Sequence, residues 1–237
     1  MPVLAIDVGG THVKVLAEGR RVPIKIPSGP TMTPELMVAA VLKATQEWKY
    51  DRIAIGYPAP VIHSKPVLEP HNLGGGWVGF EYQTAFGKPV RMINDAAMQA
   101  LGSYRGGRML FLGIGTGLGS ALVIEGIVQP MELAHLPYRK SLTYEDYVGR
   151  RGLERLGKKR WRERVLDVID RLAAALIVDY VVVGGGNAKL LKTLPKGVEL
   201  GANDNAFLGG FKLWEERQGA HTHELSPTGV PLPSRIG

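Results

Sequence analysis

The residues of this chain best suited to chemistry lie in two glycine-rich turns, each with a hydroxyl. They are Asp7-Val8-Gly9-Gly10-Thr11 and Gly113-Ile114-Gly115-Thr116-Gly117-Leu118-Gly119-Ser120. Glycine lets backbone N–H groups approach a polyanion closely, and a threonine adds a hydroxyl donor. One such turn is a weak signal. Two of them, with Asn94-Asp95 between them in sequence, predict a phosphoryl-transfer site, where positioning and charge neutralisation matter more than covalent chemistry. A carboxylate at a strand end, aimed into a cleft, can orient an alcohol and take its proton as the new bond forms. The same Asn94-Asp95 step before Ala96-Ala97 also fits an ordinary helix N-cap. Glu132 and His135, three residues apart, would share one side of a helical turn and could bracket neighbouring hydroxyl groups.

The elements that must position these residues follow from the apolar runs. Val3–Ile6 and Val13–Ala17 flank the first turn, and Met109–Leu112 and Ala121–Ile124 flank the second, so each reads as a β-hairpin with an open tip. Val22–Ile26 reads as a further strand. Thr33 and Pro34 open a helix to about Trp48, with Leu36, Val38, Ala39, Val41 and Leu42 on its buried face. Arg52–Gly56 is a buried strand, Pro66–Trp77 a loop, Gly79–Phe86 a short helix, and Pro89–Ile93 the strand that delivers Asn94-Asp95 to a helix over Ala96–Tyr104. Arg105-Gly106-Gly107 then breaks the chain into halves. The second half predicts helices at about Tyr144–Leu156 and Lys159–Ile177, a strand at Tyr180–Val183 and a turn, Gly184-Gly185-Gly186-Asn187, that opens another helix. A last helix spans about Asn205–Arg217. Trp77, Trp161 and Trp214 are expected to pack or cover apolar surface. The expected organisation is α/β with two lobes and a central cleft: residues 1–105 a small lobe with the first turn and Asp95, residues 106–219 a larger lobe with the second turn, and residues 220–237 a loose tail.

Composition narrows the partners. The 237 residues carry 45% hydrophobic and 22% charged side chains, ordinary for a globular protein with a real core. The absence of cysteine excludes disulfides, thiolate catalysis and any Cys-ligated metal. No basic leader precedes the strand at Val3, and the longest weakly polar stretch, Leu110–Ile124, is too short and too rich in glycine to span a bilayer. The expectation is therefore a cytoplasmic chain with no membrane partner. The net charge of +7 is concentrated in Arg150–Arg164, where Arg151, Arg155, Lys158, Lys159 and Arg162 recur at roughly helical spacing. With Glu154 and Glu163 interspersed, this reads as a solvated helix face or as a track for a long anion such as polyphosphate. Nucleic acid is not expected, because no helix-turn-helix pattern precedes the first turn and no aromatics interleave the cations.

Six segments in order resemble the ROK sugar-kinase family of the actin/hexokinase-like (ribonuclease H-like) fold, and its polyphosphate glucokinases most of all. They are Ala5–Thr11, Gly56-Tyr57-Pro58-Ala59-Pro60-Val61, Ile93-Asn94-Asp95-Ala96, Gly113–Ser120, Glu132-Leu133-Ala134-His135 and Val183-Gly184-Gly185-Gly186, and the resemblance covers about residues 3–215. The resemblance implies that Asp95 accepts the proton of the sugar hydroxyl, while Asn94, Glu132 and His135 hold sugar hydroxyls. Asn72 and Glu145 are further candidates for sugar contact, Glu145 on spacing alone. Asp7 would organise Mg²⁺, usually through water, and Gly9, Gly10, Thr11, Gly115, Thr116 and Gly117 would cradle phosphates. Gly184, Gly185 and Gly186 would line the adenosine side, although they also fit a tight strand-to-helix turn. The implied activity is transfer of a phosphoryl group from ATP or polyphosphate to a hexose, with the 6-hydroxyl of glucose favoured, by a homodimer. The alternative is a non-catalytic sugar or nucleotide sensor acting through a partner.

The pattern also departs from the family. Many relatives carry a Cys/His zinc site after their Glu-x-Gly-His motif, whereas here His135 is followed by Leu136-Pro137-Tyr138-Arg139, so no family-type zinc site is expected. Ala134 stands where the family has glycine, and Pro58-Ala59-Pro60 replaces the usual Pro-Gly, leaving Ala59 but not Pro60 an N–H to donate. The second lobe is short between His135 and Gly184. Less material remains to enclose adenine, which together with the basic helix keeps polyphosphate beside ATP as donor.

Overall fold

The computed structural model describes residues 1–202 and 204–215. The expected tail at 220–237 and the last residues of the final predicted helix lie outside these. Within them, two sheets follow one plan. In the first, β1 (Val3–Val8), β2 (His12–Ala17) and β3 (Ile24–Pro27) form an antiparallel meander. Helix α1 (Pro34–Ala44) crosses to β4 (Arg52–Tyr57), which lies parallel to β1. A small hairpin, β5 (Val61–Ile62) with β6 (Lys65–Pro66), and helix α2 (Tyr82–Phe86) precede β7 (Val90–Asn94), parallel to β4, and α3 (Asp95–Ser103). The strand order is β3-β2-β1-β4-β7.

The second sheet repeats this. β8 (Arg108–Ile114), β9 (Leu118–Ile124) and β10 (Ile127–Met131) form the meander. The crossover is longer, through hairpin β11 (Pro137–Arg139) and β12 (Leu142–Thr143), helix α4 (Tyr144–Val148) and helix α5 (Arg150–Leu176). It returns to β13 (Tyr180–Gly184), parallel to β8, then β14 (Val198–Leu200) and α6 (Asn205–Lys212). The order β10-β9-β8-β13-β14 matches the first sheet position for position. The duplicated plan is the one expected of the actin/hexokinase-like fold.

Each sheet has an apolar strand at its centre because both faces are covered. Leu4, Ile6 and Val8 face a core completed by Met37, Val38 and Val41 of α1 and by fully buried Trp77, while Ala5 faces α6. Trp161 plays the same part in the second lobe. Both indoles donate to backbone carbonyls, Trp77 to Gly74 at 2.7 Å and Trp161 to Val148 at 2.8 Å.

Three elements differ from expectation. Helix α1 ends at Ala44, where the Thr45 hydroxyl turns back onto the Val41 carbonyl at 2.9 Å, and its buried face is Pro34, Met37, Val38 and Val41, leaving Leu36 and Leu42 exposed. The turn after Gly184 opens only a 3-10 turn, Ala188–Leu190. The helix expected over Tyr144–Leu156 is split at Gly149, whereas the break expected between Leu156 and Lys159 falls at Gly157 (φ 70°, ψ 161°), a backbone shape glycine adopts without strain.

Helix α6 follows the second sheet but packs on α3, β1 and β4. Its Phe207 and Phe211 join Ala5 and Leu16. It crosses α3 at backbone contact: a Cβ added to Gly102 would lie 1.8 Å from the Asn205 carbonyl oxygen, and one added to Gly209 1.7 Å from that of Met98. Only glycine fits there.

Candidate functional site

Strand β7 ends at Asn94 and α3 begins at Asp95. The Asn94 Oδ1 accepts from the amides of Ala96 (3.0 Å) and Ala97 (3.3 Å), so it is an N-cap, and its Nδ2 donates to the Ala59 carbonyl at 3.4 Å. Asp95 Oδ1 accepts from the Ala96 amide at 2.7 Å. This helix end lies between the lobes. A Cβ at Gly56 on β4 would stand 3.5 Å from Asp95 Cα, and one at Gly119 on β9 would stand 2.8 Å from Ala96 Cβ. The Asp95 carboxyl is pushed up to about 7, first by burial and next by the charge of Asp7, with Glu132 adding and the Ala96 amide opposing. A carboxyl balanced there is matched to proton transfer near neutral pH.

The first glycine turn closes β1 to β2 through the Gly9 amide and the His12 carbonyl (3.1 Å), and the Ser28 hydroxyl holds the Gly9 carbonyl at 2.6 Å. Asn72 stands against it: a Cβ at Gly10 would be 2.8 Å from Asn72 Cβ. Thr11 is exposed at the tip. Asp7 lies opposite Lys14 in the hairpin register, and Lys14 Nζ donates to Asp7 Oδ2 at 3.0 Å. Lys14 is a site residue that sequence reasoning missed. The signal was present, because residues equally distant from a hairpin tip face each other across the strands.

Among the described residues no three His, Cys, Asp or Glu side chains gather to hold a metal by themselves. Mg²⁺ suits such a site, since it keeps several waters and is usually held by one or two carboxylates plus substrate phosphates. Asp7, with one oxygen on Lys14 and no hydrogen bond to Oδ1 among the described residues, fits that use.

The second turn is built differently. The Gly115 amide donates to the Gly117 carbonyl (3.1 Å), the Arg150 amide to Thr116 (3.0 Å), and Asn187 donates twice, from its backbone to Ile114 (3.0 Å) and from its side chain to Gly115 (2.9 Å). The Gly184–Gly186 turn stacks on it. Gly185 has φ 86°, and a Cβ there would fall 2.5 Å from the Ile114 carbonyl oxygen. Glu145 reaches the turn as well: its Oε2 accepts from the Leu118 amide at 3.1 Å, and a Cβ at Gly117 would lie 2.1 Å from that oxygen.

Glu132 is the N-cap residue of a 3-10 turn, Leu133–His135, that ends on His135, and His135 Nε2 lies 4.0 Å from Glu132 Oε2. Both side chains are more than half exposed, at 54% and 74%. The Glu132 carboxyl is raised, first by desolvation on its protein-facing side and further by Glu145, with His135 opposing. Ser120 is not a cleft hydroxyl. It is buried, donating to the Met131 carbonyl (2.7 Å) and accepting from the Leu133 amide (3.3 Å), and so fixes the start of that turn.

The basic stretch is not one stripe. Gly157 breaks the helix between Arg155 and Lys158, Arg155 is engaged by the Asp146 carbonyl (2.8 Å) and Arg162 by that of Leu190 (2.5 Å). Arg151, Lys158 and Lys159 are exposed. No helix among the described residues is long and apolar enough to cross a membrane.

Comparison with known proteins shows the family and the fold. The model of the ROK family matches residues 3–130, more than half of the chain. The bifunctional enzyme NanE/NanK of Brucella melitensis is 33% identical over 141 residues, 53% of this chain and 27% of that protein. The chain thus spans about a quarter of the length of the curated relatives it matches. Among solved structures, the inorganic polyphosphate/ATP-glucomannokinase of Arthrobacter sp. strain KM superposes with a TM-score of 0.75 at 22% identity, covering 88% of this chain and 96% of that one. A ROK family glucokinase from Streptomyces griseus, in complex with glucose and AMPPNP, gives 0.70 at 18% identity, covering 90% and 99%. At these identities the likeness establishes the fold.

Proposed function

The chain belongs to the ROK family, and from that membership we propose that it is a sugar kinase, transferring a phosphoryl group from ATP or polyphosphate to a hexose, with the 6-hydroxyl of glucose the favoured acceptor. One observation carries the proposal: Asp95, balanced near neutral pH, stands at the interlobe end of α3, in the field of Asp7 beside the first glycine turn and of Glu132.

In this mechanism Asn94, Glu132 and His135 hold the hexose hydroxyls, with Asn72 and Glu145 at the margins. Asp95 Oδ1 is occupied by the Ala96 amide, so Oδ2 receives the proton of the attacking hydroxyl. The sugar oxygen bonds to the terminal phosphorus of the donor, the phosphorus–oxygen bond to the rest of the donor breaks, and the departing oxygen keeps the electron pair. The Gly9–Thr11 and Gly115–Gly117 turns cradle donor phosphates, and Gly184–Gly186 faces the adenosine of ATP. Asp7 would hold Mg²⁺, which when bound would neutralise phosphate charge. Lys14 orients Asp7 through its hydrogen bond to Oδ2. A homodimer belongs to the same proposal.

A coupled assay with glucose, mannose, fructose and N-acetylmannosamine, each with ATP and with polyphosphate in the presence of Mg²⁺, tests this. Turnover of one hexose is expected and identifies acceptor and donor together. Hexose binding by calorimetry without turnover from either donor would replace the kinase with a sugar sensor.

A further inference from the structure

We propose that Tyr138 and Asp167 form a latch that positions Glu132, His135 and Glu145 for the sugar, an inference that rests on the sugar-kinase assignment. Hairpin β11–β12 lies between these residues in the chain: Glu132 and His135 precede it and Glu145 follows it. The hairpin has strands of only three and two residues, and both tip residues, Lys140 and Ser141, have positive φ (50° and 60°). A two-stranded hairpin of this size does not hold its shape alone in water. Its surroundings must hold it.

The two flanks have their own anchors. Ser120 fixes the chain at Met131 and Leu133, and beyond the hairpin Thr143 and Asp146 form a capping box that starts α4. The hairpin body is tied across to α5 by Tyr138. Its hydroxyl donates to Asp167 Oδ2 in a short hydrogen bond. The same oxygen accepts from Arg171 at 3.0 Å and from Arg139 at 3.4 Å. The Tyr138 ring meets Tyr147 edge-on (4.9 Å, 85°) and lies tilted on Tyr144 (5.2 Å, 32°), the residue next to Glu145. One side chain therefore couples the hairpin, α4 and α5.

Charge keeps the latch closed. The Tyr138 phenol is raised by burial and by Asp167, so it stays a donor. Burial pushes the Asp167 carboxyl up, but the Tyr138 hydroxyl and Arg171 together outweigh it and hold the group below the usual carboxylate range. Tyr138 and Asp167 belong to the hairpin and to α5 and act through the residues they hold, so they are positioning residues.

Tyr138→Phe keeps the ring stacking and deletes the hydroxyl, and Asp167→Asn weakens the acceptor. In the full chain, each is expected to raise the hexose KM about 10-fold, the scale of one charge-assisted hydrogen bond. The kcat should stay within about twofold and the donor KM unchanged, and the double variant should be little worse than either single one. Hydrogen exchange on sugar-free protein should show faster exchange over residues 133–146 and no change in β8 or β9. A hexose KM within about twofold of the wild type in both variants overturns the latch, as does an equal fall in all kinetic constants together with a large loss of Tm. If the wild type phosphorylates no hexose, the kinase assignment fails by itself. Exchange then decides the latch: unchanged protection in both variants rules it out, and faster exchange confined to 133–146 upholds it.

Discussion

The two glycine turns occupy equivalent places in two equivalent sheets, β1–β2 in one and β8–β9 in the other, yet they are equipped differently. The first carries an ion pair at its base, Asp7 with Lys14, and its own hydrogen bonds stay within the first lobe. The second carries no charge of its own. It is braced by Asn187, by the start of α5 and by a carboxylate, Glu145, lodged on the Leu118 amide. An anion binding near Leu118 meets a group that is already negative, whereas one binding at the first turn meets a cation and a carboxylate suited to hydrated Mg²⁺. Duplication of a topology has thus not duplicated a site. In the proposed kinase the first turn takes the phosphoryl group that moves, and Glu145 links the second turn to Glu132, whose carboxyl its charge raises.

The sharpest way to break this comparison is at the residue between the turns. Asp95→Asn should lower kcat by about a thousandfold, within the range for loss of a general base, while hexose Kd from calorimetry stays within about threefold. Substantial surviving turnover would mean that the turns, not the carboxylate, carry the rate. Next come matched changes at the two turns. Asp7→Asn should cost about a hundredfold in kcat, and Glu145→Gln about tenfold, mostly in hexose KM. The reverse ranking in steady-state kinetics would invert the assignment of roles. A pH profile separates the two further. The proton acceptor must be ionised, so kcat/KM should rise with pH through about 7. Lys14→Met leaves the charge of Asp7 unbalanced and should move that limb to higher pH, Asp7→Asn should move it lower, and neither shift is expected from changes at Thr116. The smallest effect is in stability: Asn94→Ala removes a helix cap and should cost about 1 kcal/mol in a urea titration.

Much of this arrangement was legible in the sequence. Apolar runs broken by glycine set both hairpins, and Asn94-Asp95 after an apolar strand set the strand-to-helix step where it lies. What stayed hidden depends on partners distant in the chain. Lys14 looked like one more strand cation until the register put it opposite Asp7. Leu36 and Leu42 belong to the apolar pattern of α1 but lie off the arc that meets the sheet, and the pattern alone does not fix that arc. Glu145 was placed by spacing alone, and its bond to Leu118 crosses between segments that no local pattern connects. The cations at 151–162 recur at helical spacing, but the break at Gly157 puts those before it and those after it on different helical segments.

The return of α6 to the first sheet limits how this molecule can be taken apart. A cut at residues 105–106 follows the sheets and looks natural, but it would strip Ala5, Leu16 and the glycine face of α3 of their cover. It would also free Trp214, whose indole donates to the Ile53 carbonyl at 3.1 Å with Arg52 and Arg91 over its ring. The two halves are therefore not interchangeable cassettes. A recombinant that exchanges the first lobe must bring residues 204–215 with it, whereas a foreign segment spliced in at Arg105-Gly106-Gly107 leaves the α3–α6 crossing intact.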